Sequence, residues 1–361
     1  MNKKAIVAMS GGVDSSVAAH LMQQAGYEVT GVMMCLFDND DELRNEEGEK
    51  KIADNSGDAR KVTDRLGIDF KLFDMREDFR EEVIEKFVRA YESGQTPNPC
   101  VFCNRRMKFE ELYRLGAEAL SDSPVIATGH YAIIEYDEAA SRYKLRKAAN
   151  PEKDQSYVLY NLTQEQLART IFPLGGLTKE EVRRIAEEQG FVTAHKKESQ
   201  DICFIPGGDY VGFIKDYTGR EYPGGDFVDE EGRVMGSHKG IINYTIGQRK
   251  GLGLALKKPA YVLRLDTEGN RVVLGDNEDL FTRELIARDF NWVSMAASSG
   301  SFRASARIRY KHREAPCEVI PLEAEPDRVR VIFDEPQRAI TRGQSVVVYG
   351  DDYVLGGGII E

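Results

Sequence analysis

Apolar residues follow two rhythms along the first 206 residues of the chain. Short apolar runs of the kind that form buried strands alternate with stretches that repeat apolar residues every three to four positions, as amphipathic helices do. The predicted strands are residues 4–9, 28–35, 70–73 and 124–128, and the predicted helices are residues 14–26, 58–66, 81–90 and 103–120. Strands that alternate with helices form parallel sheets, so this region is predicted to be an α/β domain.

Two capping boxes predict further helices near the end of this region. Thr163 is followed by Gln166, and Thr178 is followed by Glu181. At this spacing each side chain satisfies a backbone N–H group beside the other residue. The second helix should end at Gly190, because glycine is favoured just beyond a helix C-terminus.

The pattern changes at about residue 207. Gly and Pro become frequent, helical spacing fades, and from about residue 285 short alternating runs are separated by Pro, Gly and Asp turns. Such runs are typical of a small β-barrel or sandwich. We therefore predict three domains: an α/β domain over residues 1–206, a small mixed central domain over residues 207–282 and a C-terminal β-barrel over residues 283–361.

Composition at first opposes a nucleic-acid partner. The 361 residues include 60 Asp and Glu against 49 Lys and Arg, which gives a formal net charge of −11, whereas nucleic-acid binders usually carry a basic excess. The acidic excess is concentrated, however, because residues 36–49 hold seven carboxylates and one arginine. That composition fits a solvated insertion.

Residues 302–313 show the opposite bias. Their odd positions hold five Lys or Arg side chains, and their even positions are mostly apolar. On a strand, where side chains alternate between faces, the five cations would share one face. We interpret this pattern as a surface for the phosphate backbone of a nucleic acid.

The sequence predicts a cytoplasmic protein without a membrane partner. It contains no run of about 18 apolar residues, and its first apolar run is too short for a signal peptide. Its five cysteines are an odd number in a chain without an export signal. This favours thiol chemistry or metal binding over structural disulfides.

The first glycine loop has the form of an anion site. Ser10, Gly11 and Gly12 follow the first predicted strand, and Asp14 and Ser15 open the first helix. Backbone N–H groups at such a turn point toward an anion above the sheet, and glycines let the backbone approach a phosphate closely. The loop lacks the lysine of a Walker A motif and the spacing of a dinucleotide-binding loop. It resembles the pyrophosphate loop (PP-loop) of ATP pyrophosphatases, which split ATP and transfer AMP to a carbonyl or ureido oxygen.

Three cysteines form a second candidate site. Cys100 and Cys103 have Cys-x-x-Cys spacing, and Cys203 follows a hundred residues later. A structural zinc site needs four ligands, and only Cys203 is an obvious third. Cys35 and Cys317 lie in strand-like runs that are typical of core cysteines.

Motifs along essentially the whole chain resemble the MnmA family of tRNA-specific 2-thiouridylases. In order, they are MSGGVDSSVAA, GDAR, TPNPCVFCN, ATGHYA, KDQSYVLY, ESQDICFIP, YTIGQRKGLG, ARIRY and GQSVVVY. The resemblance implies an adenine nucleotide alpha hydrolase-like α/β domain and conversion of the wobble uridine of tRNA, at about position 34, to 2-thiouridine. ATP would adenylate the uracil C2 oxygen, and a persulfide on Cys203 would supply the sulfur. Cys103 would be the second catalytic cysteine and would leave a Cys103–Cys203 disulfide, which must be reduced before the next turnover.

The resemblance also implies binding positions and partners. ATP would contact Ala8, Met9, Ser10, Gly11, Gly12, Val13, Asp14, Ser15, Met34 and Gly129, with Mg²⁺ or pyrophosphate at Asp14. The target base, once out of the anticodon stack, would contact Asn98, Pro99 and Cys100. The rest of the tRNA would contact His130, Lys153, Asp154, Gln155, Arg309, Tyr310 and Gln344. The implied partners are tRNAs that read Lys, Glu and Gln codons, a cysteine desulfurase or sulfur-relay protein, and a cellular thiol reductant.

Cys100 departs from the family pattern. Many members carry Asp at this position, so the acid, base or positioning role of that carboxylate is in doubt here. Three thiols at Cys100, Cys103 and Cys203 could instead hold a [4Fe-4S] cluster with one open iron site, and thiolation could proceed through that cluster.

Two other function classes stay open at this point. Another AMP-forming ligase or amidotransferase of the PP-loop group would need neither paired cysteines nor a basic β-domain. An RNA-binding module stabilised by a metal would use the glycine loop only as structure.

Overall fold

The computed structural model describes residues 3–37, 56–196, 202–256 and 258–361. Its strands are β1 (Lys4–Ala8), β2 (Glu28–Cys35), β3 (Asp69–Asp74), β4 (Val125–Ala127), β5 (Ile133–Asp137), β6 (Arg142–Arg146), β7 (Thr170–Ile171), β8 (Gly225–Val228), β9 (Val234–His238), β10 (Tyr261–Asp266), β11 (Arg271–Gly275), β12 (Phe281–Trp292), β13 (Phe302–Arg307), β14 (Ala315–Leu322), β15 (Glu325–Arg338), β16 (Ser345–Gly350) and β17 (Tyr353–Ile360). Most of the acidic segment predicted as a solvated insertion, from residue 38 onward, lies outside these ranges.

The helices carry most of the first half of the chain. They are α1 (Val13–Gln24), α2 (Gly57–Leu66), α3 (Arg76–Phe79), α4 (Glu85–Glu92), α5 (Pro99–Phe102), α6 (Leu112–Leu120), α7 (Ser156–Leu159), α8 (Gln164–Ala168), α9 (Lys179–Glu188) and α10 (Tyr210–Thr218). Two π-helical segments, Arg80–Ile84 and Cys103–Glu111, join α3 to α4 and α5 to α6. Both predicted capping boxes are present, at the starts of α8 and α9.

The first domain is built on a five-stranded sheet with the order β3-β2-β1-β4-β7, and all its pairings are parallel. This confirms the predicted α/β class. The central strand β1 is fully buried at Ala5, Ile6 and Val7. Gly116 lets α6 pack directly on this strand, because a side chain there would clash with Ile6. The strand order reverses between β1 and β4, and such a reversal opens a crevice at the carboxyl ends of the strands.

The central domain contains a four-stranded sheet with the order β10-β11-β8-β9. It also contains α10, which the loss of helical spacing after residue 207 had not predicted. Asp209 caps this helix by accepting a hydrogen bond from the Gly212 N–H at 2.9 Å, and Gly219 ends it in a left-handed conformation. Phe213 packs the helix against Phe204 of the first domain, with ring centroids 5.2 Å apart.

The C-terminal domain is a closed six-stranded barrel with the order β12-β15-β14-β13-β16-β17, closed by antiparallel pairing of β12 with β17. This confirms the predicted β-barrel. Its interior is filled by buried apolar side chains, among them Val319, Val331 and Val346, each fully buried.

The first domain and the barrel share backbone and side-chain contacts. The β5-β6 hairpin continues the barrel sheet beyond β17, and the Lys147 N–H donates to the Asp352 carbonyl at 2.8 Å. The Tyr157 hydroxyl of α7 donates to the Ser345 carbonyl of β16, also at 2.8 Å. The barrel is therefore fixed against the crevice side of the α/β domain. Among the described residues, no helix is long and apolar enough to cross a membrane.

Candidate active site

A cavity of about 480 Å³ opens at the carboxyl ends of β1, β2 and β4. Of the predicted ATP positions, seven line it, namely Ala8, Met9, Ser10, Asp14, Ser15, Met34 and Gly129. Six of the other predicted positions also line it, namely Pro99, Cys100, Cys103, His130, Gln155 and Cys203. The structure therefore brings the glycine loop and the three candidate thiols to one cavity, although they are far apart in sequence.

The glycine loop at the phosphate end of the cavity is held by its own hydroxyl groups. Gly11 has a φ of 67°, in the left-handed region that glycine tolerates. The Ser15 and Ser16 hydroxyls both donate to the Gly12 carbonyl, at 3.1 and 2.9 Å, and Ser16 also shares a 2.9 Å hydrogen bond with the Thr193 hydroxyl. Gly12 at the N-cap has no side chain to cap α1, so the first N–H groups of this helix remain available to an anion. Gly11, Gly12 and Val13 form the turn itself.

Gly129 brings the loop after β4 against the glycine loop. A Cβ atom at this position would lie 2.8 Å from the backbone carbon of Asp14 and 2.8 Å from the backbone nitrogen of Ser15. Real Cβ atoms essentially never approach backbone atoms this closely. Only glycine therefore fits between the two loops in this arrangement.

Asp14 is the carboxylate of the cavity among its described lining residues. Its Oδ1 atom accepts hydrogen bonds from Lys179 Nζ and from the Tyr131 hydroxyl, each at 2.7 Å. Neither donor was among the predicted site residues. In the sequence, Lys179 is an ordinary lysine in the first turn of a helix. Only the fold places it beside Asp14, which is 165 positions away.

The thiol end of the cavity is formed by α5 and the π-helical segment that follows it. The Asn98 side chain caps α5 by accepting a hydrogen bond from the Cys100 N–H at 3.2 Å, so Asn98 supports the loop rather than lining the cavity. Cys100 is exposed at the mouth, Cys103 is 8% exposed, and neither Cys103 nor Cys203 is joined in a disulfide.

The surroundings of the three thiols hold them in the protonated form. Burial raises the pKa of Cys103 to about 12, with smaller contributions from the neighbouring Cys203 and Cys100. Desolvation by the atoms packed round their sulfurs also raises the pKa values of Cys100 and Cys203. In the ligand-free protein these groups are therefore weak nucleophiles, because the thiolate is the reactive species.

Among the described residues that line the cavity, Lys108 is the one Lys or Arg side chain. It was not among the predicted site residues. It lies five residues after Cys103 in a π-helical segment, where residues five apart fall on one face. Its Nζ atom donates to the Asn104 side-chain oxygen at 2.9 Å, and the Asn104 amide in turn donates to the Val158 carbonyl. The positive charge of Lys108 opposes the rise in the pKa values of all three thiols. A helix pattern with 3.6 residues per turn would not have paired it with Cys103.

His130 is buried between the rings of Phe109 and Phe172, with centroids 6.0 and 5.8 Å away. Its Nδ1 atom lies 2.6 Å from the Thr128 hydroxyl. Burial and the charge of Lys108 hold its pKa well below the ordinary value, so the imidazole is neutral at physiological pH. Its predicted contact with tRNA stays a prediction.

The other predicted tRNA positions lie where the barrel meets the α/β domain. The Asp154 carboxylate is 5% exposed and accepts hydrogen bonds from the Ser156 hydroxyl and from the Ala148 N–H. The Tyr310 hydroxyl donates to the Asp154 carbonyl at 3.2 Å. Asp154 therefore braces the loop that also holds Lys153 and Gln155.

Gln344 joins the barrel to the loop that leads into α5. Its side-chain amide donates to the Thr96 carbonyl at 2.7 Å, and the Thr96 N–H donates to the Arg342 carbonyl at 2.9 Å. The predicted tRNA contacts of this residue and of its neighbours stay predictions. Their shared place is the border between the barrel and the cavity mouth.

The prediction of one strand with five cations on a single face is wrong. Strand β13 ends at Arg307, and the chain then turns through residues 308–314. Arg303 is paired with Asp334, and Arg307 is paired with Glu314 at 2.8 Å. Arg309 donates to the backbone carbonyls of Arg338 and Ala339. Three cations of the segment, Arg303, Lys311 and Arg313, are exposed.

The two metal centres that the sequence suggested differ in fit. In the described parts of the chain, no group of three or more His, Cys, Asp or Glu side chains is arranged to hold a metal ion, and this includes Cys100, Cys103 and Cys203. The iron-sulfur cluster at these thiols stays a prediction. Mg²⁺ needs less from the protein, because it is often held by one or two carboxylates together with substrate phosphates. Asp14 at the phosphate end fits that requirement.

Family models match three successive parts of the chain. One described as "tRNA methyl transferase HUP domain" matches residues 3–207, one described as "tRNA methyl transferase PRC-barrel domain" matches residues 211–276, and one described as "Aminomethyltransferase beta-barrel domain" matches residues 282–360. A relative from Clostridioides difficile (strain 630), "tRNA-specific 2-thiouridylase MnmA", is 47% identical over 361 residues, which is 100% of this chain and 99% of the relative. The chain belongs to the tRNA-specific 2-thiouridylase family.

Other members of the tRNA-specific 2-thiouridylase family match equally fully. One from Acetivibrio thermocellus is 48% identical and covers 99% of each chain, and "tRNA-specific 2-thiouridylase MnmA 2" from Caldanaerobacter subterraneus is 48% identical, covering 100% of this chain and 98% of its own. Among solved structures, a 4-thiouridine synthetase in complex with RNA and bound ATP is similar at 16% identity with a TM-score of 0.34. That likeness covers 59% of this chain and 50% of the other.

Proposed function

We propose that the chain catalyses the ATP-dependent 2-thiolation of the wobble uridine of tRNA. The coarser assignment, an enzyme that forms 2-thiouridine in tRNA, follows from its membership in the 2-thiouridylase family. One observation carries the finer proposal: a single cavity is lined both by the glycine loop and by Cys103 and Cys203. Neither an amide-forming PP-loop ligase nor a purely structural loop needs thiols at that place.

The proposed first step uses the phosphate end of the cavity. The uracil C2 oxygen attacks the α-phosphorus of ATP, the bond to pyrophosphate breaks, and the base becomes O-adenylated. The open N–H groups at the start of α1 and the glycine loop would hold the phosphates. Asp14 would hold Mg²⁺ together with phosphate oxygens, and the ion would neutralise phosphate charge when bound.

The proposed second step uses the thiol end. The terminal sulfur of a Cys203 persulfide attacks C2, and AMP leaves with the bonding electron pair. The Cys103 thiolate then attacks the Cys203 sulfur, and the electron pair of the broken S–S bond moves to the sulfur that stays on C2. The products are 2-thiouridine and a Cys103–Cys203 disulfide, which a cellular thiol reductant reopens.

The target base would enter at the exposed side of α5. Asn98, Pro99 and Cys100 form this border, and a base must leave the anticodon stack to reach an atom inside a protein cavity. Cys100 lies at the mouth, so it would contact the base without replacing either of the other two thiols.

The proposed tRNA surface lies on the barrel side of the mouth. It includes Lys311 and Arg313, which are exposed, and it would extend to the predicted positions His130, Lys153, Asp154, Gln155, Arg309, Tyr310 and Gln344. We further propose tRNAs reading Lys, Glu and Gln codons as substrates, a cysteine desulfurase or sulfur relay as donor, a cytoplasmic location, and domain boundaries near residues 206 and 282.

Cysteine substitutions test this proposal. Cys103→Ala and Cys203→Ala should each reduce 2-thiouridine formation on unmodified tRNA by about 10³-fold or more, because a nucleophile of the reaction is lost. ATP binding should change by less than about threefold, since neither thiol lies at the phosphate end. Cys317→Ala is the matched control, because Cys317 is buried in the barrel. Full thiolation by either active-site variant would contradict the persulfide route.

A further inference from the structure

A buried lysine and a buried tyrosine lie directly behind the phosphate end of the cavity. Lys179 is 6% exposed and Tyr131 is 2% exposed. Both donate hydrogen bonds of 2.7 Å to the same Asp14 oxygen, Oδ1, and Lys179 Nζ lies 5.9 Å from the centre of the Tyr131 ring. The Asp14 side chain is 30% exposed and lines the cavity, while the two donors hold its carboxylate from the side that faces the protein interior.

The position of Lys179 is unfavourable without Asp14. It is the first residue of α9, next to the N-cap Thr178, where the positive end of the helix dipole repels a cation. Lysine is also almost never fully buried unless it is paired. The ion pair with Asp14 compensates both effects. The group that makes a lysine favourable at this position therefore lies in the glycine loop and not in α9.

The charge balance of the cavity gives the pair a role. Among the described residues that line the cavity, Asp14 is the carboxylate and Lys108 is the cation, and Lys108 lies at the thiol end. ATP brings several negative charges to the phosphate end, where an isolated carboxylate would repel them. When no Mg²⁺ is bound, Asp14 is balanced from behind the cavity wall, where Lys179 Nζ lies 2.7 Å from its Oδ1 atom.

We propose that Lys179, assisted by Tyr131, is a positioning residue of the ATP site, which neutralises Asp14 and fixes its carboxylate so that the phosphates of ATP bind beside it. This inference rests on the proposed function, because it takes the phosphate end to be the ATP site. Lys179 acts through Asp14 and does not itself touch the nucleotide.

A double-variant cycle tests the inference. The dissociation constant of ATP is measured by calorimetry in EDTA for the wild type, Lys179→Met, Asp14→Asn and the double variant. Lys179→Met should weaken ATP binding by about tenfold, because it leaves a bare carboxylate facing the phosphates. Adding Asp14→Asn should restore the dissociation constant to within about threefold of the wild type, since the repelling charge is then gone.

Further variants separate charge from packing. Lys179→Arg keeps the charge and should bind ATP within about threefold of the wild type. Tyr131→Phe removes one donor and should weaken binding by about threefold in the wild-type background, but not in the Asp14→Asn background. Lys86→Met is the matched control, because Lys86 is paired with Glu82 on the accessible face of α4. Thermal melts of each variant report its folding.

Two results would overturn the inference while leaving the proposed function in place. One is a folded Lys179→Met variant that binds ATP as the wild type does. The other is a double variant that binds as weakly as Lys179→Met alone, which would mean that the lysine contacts the phosphates directly. Wild-type protein that binds ATP with Mg²⁺ but not in EDTA would also overturn the inference, and wild-type protein that binds ATP under neither condition would contradict the proposed function as well.

Discussion

The two ends of the cavity are built in opposite ways. At the phosphate end, polar groups are hydrogen-bonded to one another. The Ser16 and Thr193 hydroxyls share a hydrogen bond, and Asp14 accepts hydrogen bonds from Lys179 and Tyr131. Lys196 Nζ donates to the Gly11 carbonyl at 2.9 Å. At the thiol end, aromatic side chains fill the wall. Phe204 packs edge-on against Phe79 and Phe87, with centroids 5.5 and 5.4 Å apart.

The difference separates binding from reactivity. The phosphate end has its loop geometry fixed by hydrogen bonds before any nucleotide is present, which lowers the entropy cost of binding. The thiol end is desolvated, and this keeps Cys103 protonated with a pKa of about 12. We infer that ATP can bind to the resting protein, whereas the thiols need Lys108 and the incoming substrates to become nucleophiles.

Among variants that keep both catalytic cysteines, the largest expected effect comes from a substitution of Gly129 at the phosphate end. In Gly129→Ala the new Cβ would lie 2.8 Å from backbone atoms of Asp14 and Ser15, which cannot rotate away. ATP affinity should fall by about 10- to 100-fold, measured by calorimetry. Gly176→Ala is the control, because nothing lies within 4 Å of its Cβ position. Equal ATP affinity of the two variants would show that the close approach does not shape the site.

A smaller effect is expected at the thiol end, in the reactivity of Cys103. An ordinary thiol has a pKa near 9, so its alkylation rate levels off above that pH. Because the pKa of Cys103 is about 12, its alkylation by iodoacetamide in the ligand-free protein should still rise tenfold per pH unit through pH 9. Peptide-resolved mass spectrometry measures the rate at each cysteine.

The variant Lys108→Met tests how much the positive charge of Lys108 contributes to the reactivity of Cys103. Loss of the cation raises the pKa of Cys103 further, so its alkylation rate at a fixed pH near 8 should fall by up to about tenfold. Lys108→Arg should retain most of the rate, and Cys317 in the barrel should react equally in all three proteins. An unchanged alkylation rate of Cys103 in Lys108→Met would show that Lys108 does not lower the pKa of this thiol.

The smallest effect is expected where the barrel is joined to the cavity mouth. Gln344→Ala removes one hydrogen bond to the Thr96 carbonyl, worth about 1 kcal/mol. The KM for tRNA should rise by about three- to fivefold, while ATP affinity stays unchanged. Gln23→Ala is the matched control, since it removes a similar amide-to-carbonyl bond, to Leu66, at an exposed position near the end of α1. A matching loss of ATP affinity in Gln344→Ala would show that the barrel also supports the phosphate end.

The sequence was most informative where local pattern decides structure. The predicted strand over residues 28–35 coincides with β2, and both capping boxes and the end of α9 near Gly190 are confirmed. In the glycine-rich central region the same reasoning missed α10, although Tyr210, Phe213 and Tyr217 repeat at helical spacing. The surrounding Gly and Pro residues masked that signal.

Contacts between distant segments were not predictable from pattern. The period-two face over residues 302–313 fails because the chain turns after Arg307, which lets Glu314, directly after the segment, pair with Arg307. Asp334, from strand β15, pairs with Arg303. Lys179 and Tyr131 meet Asp14 only through the fold. Lys108 meets Cys103 only because the helix there has π geometry.

A single turnover shows whether both ends of one cavity act on one base. Protein carrying one persulfide on Cys203 is mixed with ATP and excess unmodified tRNA without reductant, and 2-thiouridine and the Cys103–Cys203 disulfide are quantified by mass spectrometry. We expect one disulfide for each 2-thiouridine formed, and neither product without ATP. Formation of 2-thiouridine without the disulfide, or at the same yield in Cys103→Ala, would contradict this expectation.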